Sequence, residues 1–345
     1  MLGAIYLLRW AWFTPVYERD FVALWAAGKL AAAGHVADVY NTEIFRTVGA
    51  PVAGSTAVKL AYPYPPHALF VAVPLSYLPQ TVAYAVWQSI SALLFYLAAR
   101  PYLPSGFPKI LAVLTPAAVI NVAFGQVGLF YGAMWLFAFS GSSLAAAVLT
   151  FKPHLGVLAG GEVLRRRQVI LSLALFALMM VASAIAFGVD SWSAWARGAA
   201  AFQLSNLTAE PLGLWPFQMV TPFLGYGLVG WIVFASAAIF LLTRRFDVFT
   251  AATAAFLIAP YGFHYDMTVV CLGFGLLLFL RWREMPAWQT FLCAAAFLLP
   301  DVVALGTWIA SPILLAALYI QTKNPVAAEG VSLLPWRTAE PVPTS

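Results

Sequence analysis

The chain has 345 residues, of which 63% are hydrophobic and 9% are charged, and its mean hydropathy is +0.86. Apolar residues make up about half of an ordinary soluble domain, so this composition excludes that class and indicates a polytopic membrane protein. Lys and Arg exceed Asp and Glu by 18 to 13, an excess that in a membrane protein reports cytoplasmic loops, and a nucleic-acid partner is not expected.

A spanning helix consumes about 20 apolar residues, so the length allows roughly ten to twelve spans. We predict an all-α bundle forming one transmembrane domain over residues 1–322, followed by a disordered cytoplasmic tail, 323–345, rich in Pro, Ala, Ser and Thr. Apolar segments bounded by Pro, Gly and charges are predicted at 1–14, 67–79, 80–99, 108–123, 125–140, 143–160, 168–188, 225–243, 248–262, 267–280, 286–300 and 302–320.

Several of these segments are short for a span, and those divided at Pro79 or Gly125 are candidates for kinked or re-entrant helices. The first segment carries Arg9 in its middle and has no small-residue cleavage pattern, so it does not resemble a removable signal peptide. It is either a short, tilted helix or the end of a helix that begins upstream.

The positive charges predict the orientation, because Lys and Arg near helix ends are retained in the cytoplasm. If the first segment exits the cytoplasm, the loops 15–66 and 189–224, the stretch 262–267 and Asp301 lie outside, and together they carry most carboxylates. The two loops each contain a predicted amphipathic helix, 21–34 and 190–203, with Trp and Phe among small residues. These helices are either the floor or lid of a lipid-facing cleft or ordinary loop helices resting on the bundle. Chemistry is expected at the outer face.

Asp20 follows the first predicted span and precedes the first amphipathic helix. A carboxylate at the rim of the hydrocarbon is costly unless it is solvated, paired or used, so a functional role is the default hypothesis. The alternative is a salt bridge with Arg19 or a helix-capping role.

The motif YPYPPH at 62–67 is typical of the start of a span, since consecutive prolines cannot continue a helix but are well accepted in its first turn. Tyr62, Tyr64 and His67 would then cluster at the membrane interface. An aromatic belt explains tyrosines at this level without any ligand.

Polar residues also interrupt later apolar runs, first as Gln126 and then as Lys152 and His154. A lysine inside an apolar run must snorkel, pair or meet an anionic group, and a phosphate headgroup would suit Lys152. The alternative is that it only contacts a backbone carbonyl where Pro153 kinks the helix.

The last cluster is His264, Tyr265 and Asp266, which separates two apolar runs at the outer face. A histidine beside an aspartate can donate to a phosphate or move protons near neutral pH. Asp20, Asp266 and His264 together would offer ligands to a hard cation, yet no DxD pair or ligand spacing points to one. We therefore expect no cofactor and metal-independent chemistry.

The succession of these motifs resembles glycosyltransferase family 87, the polyprenol-phosphate-mannose-dependent α-1,2-mannosyltransferases. The resemblance covers about residues 15–270 and rests on DFxALWAAGKLAAAGHVADVYN at 20–41, YPYPP at 62–66, PLSYLP at 74–79, GQ at 125–126, KP at 152–153 and HYD at 264–266. It implies a bundle of the GT-C type in the cell membrane, with an active site on the non-cytoplasmic face and a polyprenyl-phosphate sugar donor.

The resemblance further implies that Asp20 is the catalytic base and that His264 stands near the donor phosphate. The chemistry of sugar transfer from a lipid phosphate is compatible with this, since it needs a base for the acceptor hydroxyl and groups that receive the charge of the leaving phosphate. Candidates for binding the donor are Lys152, His264, Tyr62, Tyr64 and Gln126, with Tyr265, Asp266 and His154 in support. One displacement inverts the anomeric centre, and the acceptor would be a glycolipid or a polysaccharide.

The alternative function is a secondary transporter or flippase of a small or lipid-linked substrate. Transporters tend to show paired repeats and charges at the bilayer midplane, whereas here the carboxylates gather at one rim and no repeat is visible. That asymmetry favours an enzyme. A third hypothesis, a non-catalytic membrane subunit, leaves Asp20 and the HYD cluster without a role.

Overall fold

The computed structural model describes residues 19–53, 61–208, 220–302 and 307–326. Within these ranges the chain forms sixteen α-helices, several short 3₁₀ turns and no β-strand. The helices are α1 (Arg19–Ala32), α2 (Thr42–Ala53), α3 (Leu69–Ser76), α4 (Gln80–Ala99), α5 (Pro116–Phe124), α6 (Gly128–Phe139), α7 (Ser143–Val148), α8 (Pro153–Gly156), α9 (Ala159–Arg165), α10 (Val169–Phe187), α11 (Asp190–Thr208), α12 (Pro222–Arg244), α13 (Val248–Ile258), α14 (Thr268–Arg281), α15 (Ala287–Val302) and α16 (Thr307–Lys323).

The predicted all-α polytopic class is confirmed. Three helices of the described chain are long and apolar enough to cross a membrane, over Gln80–Tyr102, Val169–Phe187 and Pro222–Arg244. Shorter apolar helices accompany them at Pro66–Ser76, Gly128–Phe139, Val248–Ile258, Thr268–Arg281 and Ala287–Val302. The predicted segment 1–14 and nearly all of the predicted tail lie outside the described residues.

The apolar segment 143–160 is not one helix. It contains α7, a 3₁₀ turn at Leu149–Phe151 and the one-turn helix α8. The break falls at Lys152, whose backbone is non-helical with φ −131° and ψ 74°. Proline excludes the preceding residue from the helical region and is itself accepted at the first helical position, so Pro153 causes this interruption.

Helix α1, predicted as an amphipathic helix over 21–34, packs along α3. Gly28 makes the close approach possible, because a Cβ at this position would lie 2.2 Å from the carbonyl oxygen of Ala72. The Trp25 indole N–H donates to the Leu78 carbonyl at 3.1 Å. The buried residues of α1 are Phe21, Val22, Leu24, Ala26, Ala27, Leu30 and Ala31. These contacts hold the first turn of α1, and Asp20 with it, against the bundle.

The second amphipathic helix, predicted over 190–203, is α11 and extends to Thr208. Two tryptophans hold it against the YPYPPH segment. The Trp195 indole N–H donates to the Pro63 carbonyl at 3.0 Å, and the Trp192 ring stacks on His67 with the centroids 5.6 Å apart. Helix α11 therefore packs on the segment 62–67, and α1 packs on α3, which follows that segment in the chain.

Helix α6 runs through the interior and connects two polar regions of the fold. Most of its residues are buried, and Gly132 lets it approach two neighbours, since a Cβ there would meet the Thr268 hydroxyl at 2.3 Å and the Phe95 ring at 2.8 Å. The helix has 12 residues, a length of roughly 18 Å. Gln126 lies just before its first turn and Gly141 just after its last.

Candidate functional site

A cavity opens at the start of α6, where six parts of the chain meet. They are the first two turns of α1, the segment 61–65, the α5–α6 turn, the break at Lys152, Trp195 of α11 and the segment 261–266. The space between these lining residues is about 990 Å³, a volume that includes open solvent. The predicted site residues that line it are Asp20, Tyr64, Gln126, Lys152, His154, Tyr265 and Asp266.

Two predicted site residues are not on the cavity wall. Tyr62 is buried behind Tyr64, with the two rings edge to face at 5.2 Å between centroids. His264 is also buried, and its ring meets the edge of Phe124 at 6.1 Å. Both adjoin the lining residues rather than the open space.

Lys152 and Asp266 form a buried ion pair at the cavity wall. The Lys152 ammonium donates to Asp266 Oδ1 at 2.7 Å, and the side chains are 8% and 1% exposed. The ammonium also lies over the rings of Tyr265 at 5.1 Å and Tyr64 at 5.8 Å. Of the alternatives weighed for a lysine in an apolar run, pairing is therefore the one observed. The second oxygen, Asp266 Oδ2, has no hydrogen-bond partner among the described residues.

Burial dominates the electrostatics of this wall. It raises the pKa of the Asp266 carboxyl above its usual range, and the Lys152 ammonium works against the shift. Burial also raises the pKa values of Tyr64 and Tyr265 well above the ordinary value, with the charge of Asp266 adding to the effect. Both phenols thus stay protonated at physiological pH and keep a hydroxyl that can donate a hydrogen bond.

Asp20 contacts a residue that was not among the partners weighed from the sequence. The Gln126 side-chain amide donates to Asp20 Oδ2, so two residues 106 positions apart in the chain meet at the cavity. Asp20 also lies in the first turn of α1, where the helix dipole favours a negative charge.

His154 lies on the cavity wall as an uncharged side chain. Its ring stacks on Tyr261 with centroids 4.5 Å apart. Burial, together with the smaller effect of the nearby Lys152 charge, lowers the pKa of His154 to about 3. At neutral pH His154 therefore offers hydrogen bonding and ring surface but no positive charge.

The aromatic lining residues that were not singled out from the sequence include Trp195, Tyr261 and Phe263. Phe263 stacks on Tyr265 with centroids 5.1 Å apart and the planes within 7°. The sequence indicated their role only weakly: Trp195 belongs to a predicted amphipathic helix, and Tyr261 and Phe263 lie just before the HYD motif. In a chain with 15% aromatic residues, the residue type alone does not separate a binding surface from packing.

A cation site from Asp20, Asp266 and His264 is not assembled. In the part of the chain that the structure describes, no group of three or more His, Cys, Asp and Glu side chains could hold a metal ion. Asp266 is turned to Lys152 instead.

The arrangement combines a carboxylate, a cation and aromatic surface around one cavity. A carboxylate can take a proton from a hydroxyl, and an ammonium can receive the charge that gathers on a leaving phosphate. Apolar and aromatic walls exclude water and suit both sugar rings and lipid. Such a site can transfer a group from a phosphate to a hydroxyl.

Comparison with known proteins gives one match. The sequence model of glycosyltransferase family 87 matches residues 62–312. The match includes Lys152 and Asp266 and begins after Asp20. No curated protein and no solved structure matches the chain.

Proposed function

We propose that this chain, which belongs to glycosyltransferase family 87, transfers a hexose from a polyprenyl-phosphate donor to a hydroxyl of a glycolipid or polysaccharide acceptor. Membership of the family makes the protein a membrane glycosyltransferase rather than a transporter. Mannose is the first candidate for the sugar. The reaction takes place on the non-cytoplasmic face of the cell membrane, where the charge distribution puts the loop that carries Asp20.

One observation carries the proposal: Asp20 and Lys152 line the same aromatic cavity. Transfer of a sugar from a lipid phosphate to a hydroxyl needs a base that takes the hydroxyl proton. It also needs a cation that stabilises the negative charge on the leaving phosphate, and both groups must reach the reacting atoms. Among the described residues that line the cavity, Lys152 is the one Lys or Arg side chain, and His154 is neutral because its pKa is lowered.

The reaction is a single displacement. The acceptor oxygen forms a bond to the anomeric carbon while the bond from that carbon to the phosphate oxygen breaks. Asp20 takes the proton of the acceptor hydroxyl, and the polyprenyl phosphate leaves with the electron pair toward Lys152. A β-linked donor therefore gives an α-linked product.

The remaining lining residues support these two. Asp266 orients the Lys152 ammonium and compensates its charge while no donor is bound. The Tyr64 and Tyr265 hydroxyls are protonated donors for phosphate or sugar oxygens. His154 contributes an uncharged face, and Tyr62 and His264 pack behind the wall. No metal or cofactor takes part in the proposed chemistry.

The test follows label from polyprenyl-phosphate-linked tritiated mannose into lipid and polysaccharide fractions of membranes that contain the wild-type chain or Asp20→Asn. The matched control is Asp190→Asn, since Asp190 also lies in the first turn of an outer-loop helix but is exposed and away from the cavity. We expect transfer by the wild type and by the control and loss of transfer in Asp20→Asn.

The other results separate the alternatives. Equal transfer by Asp20→Asn removes Asp20 from the mechanism. Wild-type membranes that transfer no mannose from this donor, with acceptor fractions added back, contradict the proposed donor. The same membranes are then assayed with other polyprenyl-phosphate sugars.

A further inference from the structure

We infer that the Gly125–Gln126 turn positions the base: the Gln126 side-chain amide holds the Asp20 carboxylate, and Gln126 does not bind the donor. This inference rests on the proposed function and assigns Gln126 a role different from the donor binding expected from the sequence. It starts from the contact between the Gln126 amide and Asp20 Oδ2.

The backbone of Gln126 is fixed from two directions. Its carbonyl accepts hydrogen bonds from the Trp87 indole N–H and the Gln88 amide of α4, each at 3.3 Å. Its own N–H donates to the Asn121 carbonyl at 3.0 Å. Because its backbone is fixed, the Gln126 side chain is restricted to few positions and stays close to Asp20. A catalytic carboxylate requires such preorganised neighbours.

Gly125 brings α1 within reach of this amide. Its φ of +69° is in the left-handed region, and a Cβ there would lie 2.6 Å from the Phe21 Cβ. Only glycine meets both conditions at once. Tyr84 completes the contact, since its hydroxyl donates to the Val122 carbonyl at 2.6 Å and its ring meets the edge of Phe21 at 5.8 Å. The residue next to Asp20 is thereby packed against the turn that carries Gln126.

An amide N–H that donates to a carboxylate stabilises its charged form. Among the described residues that line the cavity, the other titratable groups are the Tyr64, Tyr261 and Tyr265 hydroxyls, the Lys152–Asp266 pair and His154. We expect these side chains to stay in place when Gln126 is replaced by a side chain of similar size. Loss of the amide should therefore raise the pKa of Asp20 and loosen its orientation while leaving the donor contacts unchanged.

The first measurement does not depend on transfer. A hydrophobic carbodiimide modifies protonated carboxyl groups, so the pH at half-maximal modification of Asp20, read by peptide mass spectrometry, reports its protonation. We expect Gln126→Leu to raise this pH by about one unit or more, because a hydrogen bond to a charged group has about that free energy. Gln126→Glu keeps the size of the side chain and adds a like charge, so it should raise the pH at least as far.

The control is Gln168→Leu. The Gln168 amide also donates to an oxygen, the Gly141 carbonyl at 2.9 Å, but beyond the opposite end of α6. This variant should leave the protonation of Asp20 where it is in the wild type. An unchanged pH of half-modification in both Gln126 variants overturns the inference, whether or not the membranes transfer mannose.

The second measurement uses the reaction. With Gln126→Leu we expect kcat to fall about tenfold or more, the acidic limb of the pH profile to move up by about one unit, and KM for the donor to stay within twofold. Lys152→Gln should instead raise KM for the donor. A higher donor KM for Gln126→Leu with an unmoved pH profile makes Gln126 a donor ligand and overturns the inference. Absence of transfer by the wild type contradicts the proposed function alone, since the carbodiimide result still decides the role of Gln126.

Discussion

The two ends of α6 are both polar, but their charges are arranged differently. Beyond its last turn, Glu162 accepts hydrogen bonds from Arg165 and Arg166, three and four residues away. Before its first turn, Lys152 meets Asp266 across 114 residues of chain at the wall of a cavity. The Glu162 pairs join residues of neighbouring turns and need little more than the local helix. The Lys152–Asp266 pair forms only when distant parts of the chain have folded together.

The carboxyl groups at the two ends respond oppositely to burial. At Glu162 burial acts to raise the pKa, but the hydrogen bonds from Arg165 and Arg166 prevail and hold it below its usual range. At Asp266 burial prevails over a single ammonium, and the pKa is raised. Because two guanidinium groups bind the Glu162 carboxylate, we interpret it as a structural ion pair. Asp266 binds the single cation Lys152, and its Oδ2 has no hydrogen-bond partner among the described residues. We interpret this looser pair as one in which Lys152 can also contact a ligand.

The largest effect expected is that of Asp20→Asn on transfer. Loss of a general base typically costs about 10²–10⁴-fold in rate, and we expect a loss of this size in kcat/KM. The isosteric change at the far end, Glu162→Gln, should leave the rate per folded molecule within a few-fold. Similar losses of rate in both variants would contradict the assignment of a catalytic role to one end of α6 and a structural role to the other.

Lys152→Met should affect both activity and stability. Removing one partner of a buried ion pair costs about 3–5 kcal/mol of unfolding free energy, and the site loses its cation. The double variant Lys152→Met/Asp266→Leu should recover most of this stability, measured by denaturation in detergent, but none of the transfer. Recovery of transfer in the double variant would show that the pair is only structural.

Glu162→Gln should act on stability alone. The neutral amide leaves Arg165 and Arg166 without a counter-charge, and we expect a loss of about 1–3 kcal/mol in unfolding free energy. Thermal unfolding of purified protein, paired with the pH profile of transfer, checks this. A shift of that profile would mean that the far end is coupled to the cavity.

The smallest effect is expected at His154. Because burial holds its pKa at about 3, the imidazole is uncharged between pH 5 and 8. His154→Gln should therefore leave the shape of the pH profile unchanged over this range and alter the rate only a few-fold. A limb of the profile that disappears in this variant would show that His154 titrates during the reaction.

The bounds of some helices could be predicted from residue patterns, and α4 is an example. Pro79 starts it and Arg100 with Pro101 ends it, so the predicted segment 80–99 and the observed helix coincide. The polar residues of the cavity were identifiable for a related reason. In a chain with 9% charged residues, a carboxylate or lysine inside apolar sequence has few explanations, and Asp20, Lys152 and Asp266 do line one cavity.

The pairing of those residues did not follow from the pattern. Asp266 is two residues from His264 in the sequence but forms its ion pair with Lys152, because the 3₁₀ turn at His264–Asp266 directs the two side chains to different neighbours. Gln126 contacts Asp20 only because Gly125 admits α1 so closely. Trp195 lines the cavity because α11 packs on the segment that contains Pro63. Such contacts depend on tertiary packing, which periodicity does not report.

The distance in sequence between Lys152 and Asp266 also bears on how the protein is made. Synthesis proceeds at roughly 5–20 residues per second, so the 114 residues between them take roughly 6–23 s to appear. Throughout that interval Lys152 lacks Asp266, its partner in the folded protein, and a lysine without a partner is costly in the hydrocarbon of the membrane. The break before Pro153 ends the helix at this charge, so a nascent chain can leave the lysine at the aqueous rim until α14 arrives and the bundle closes.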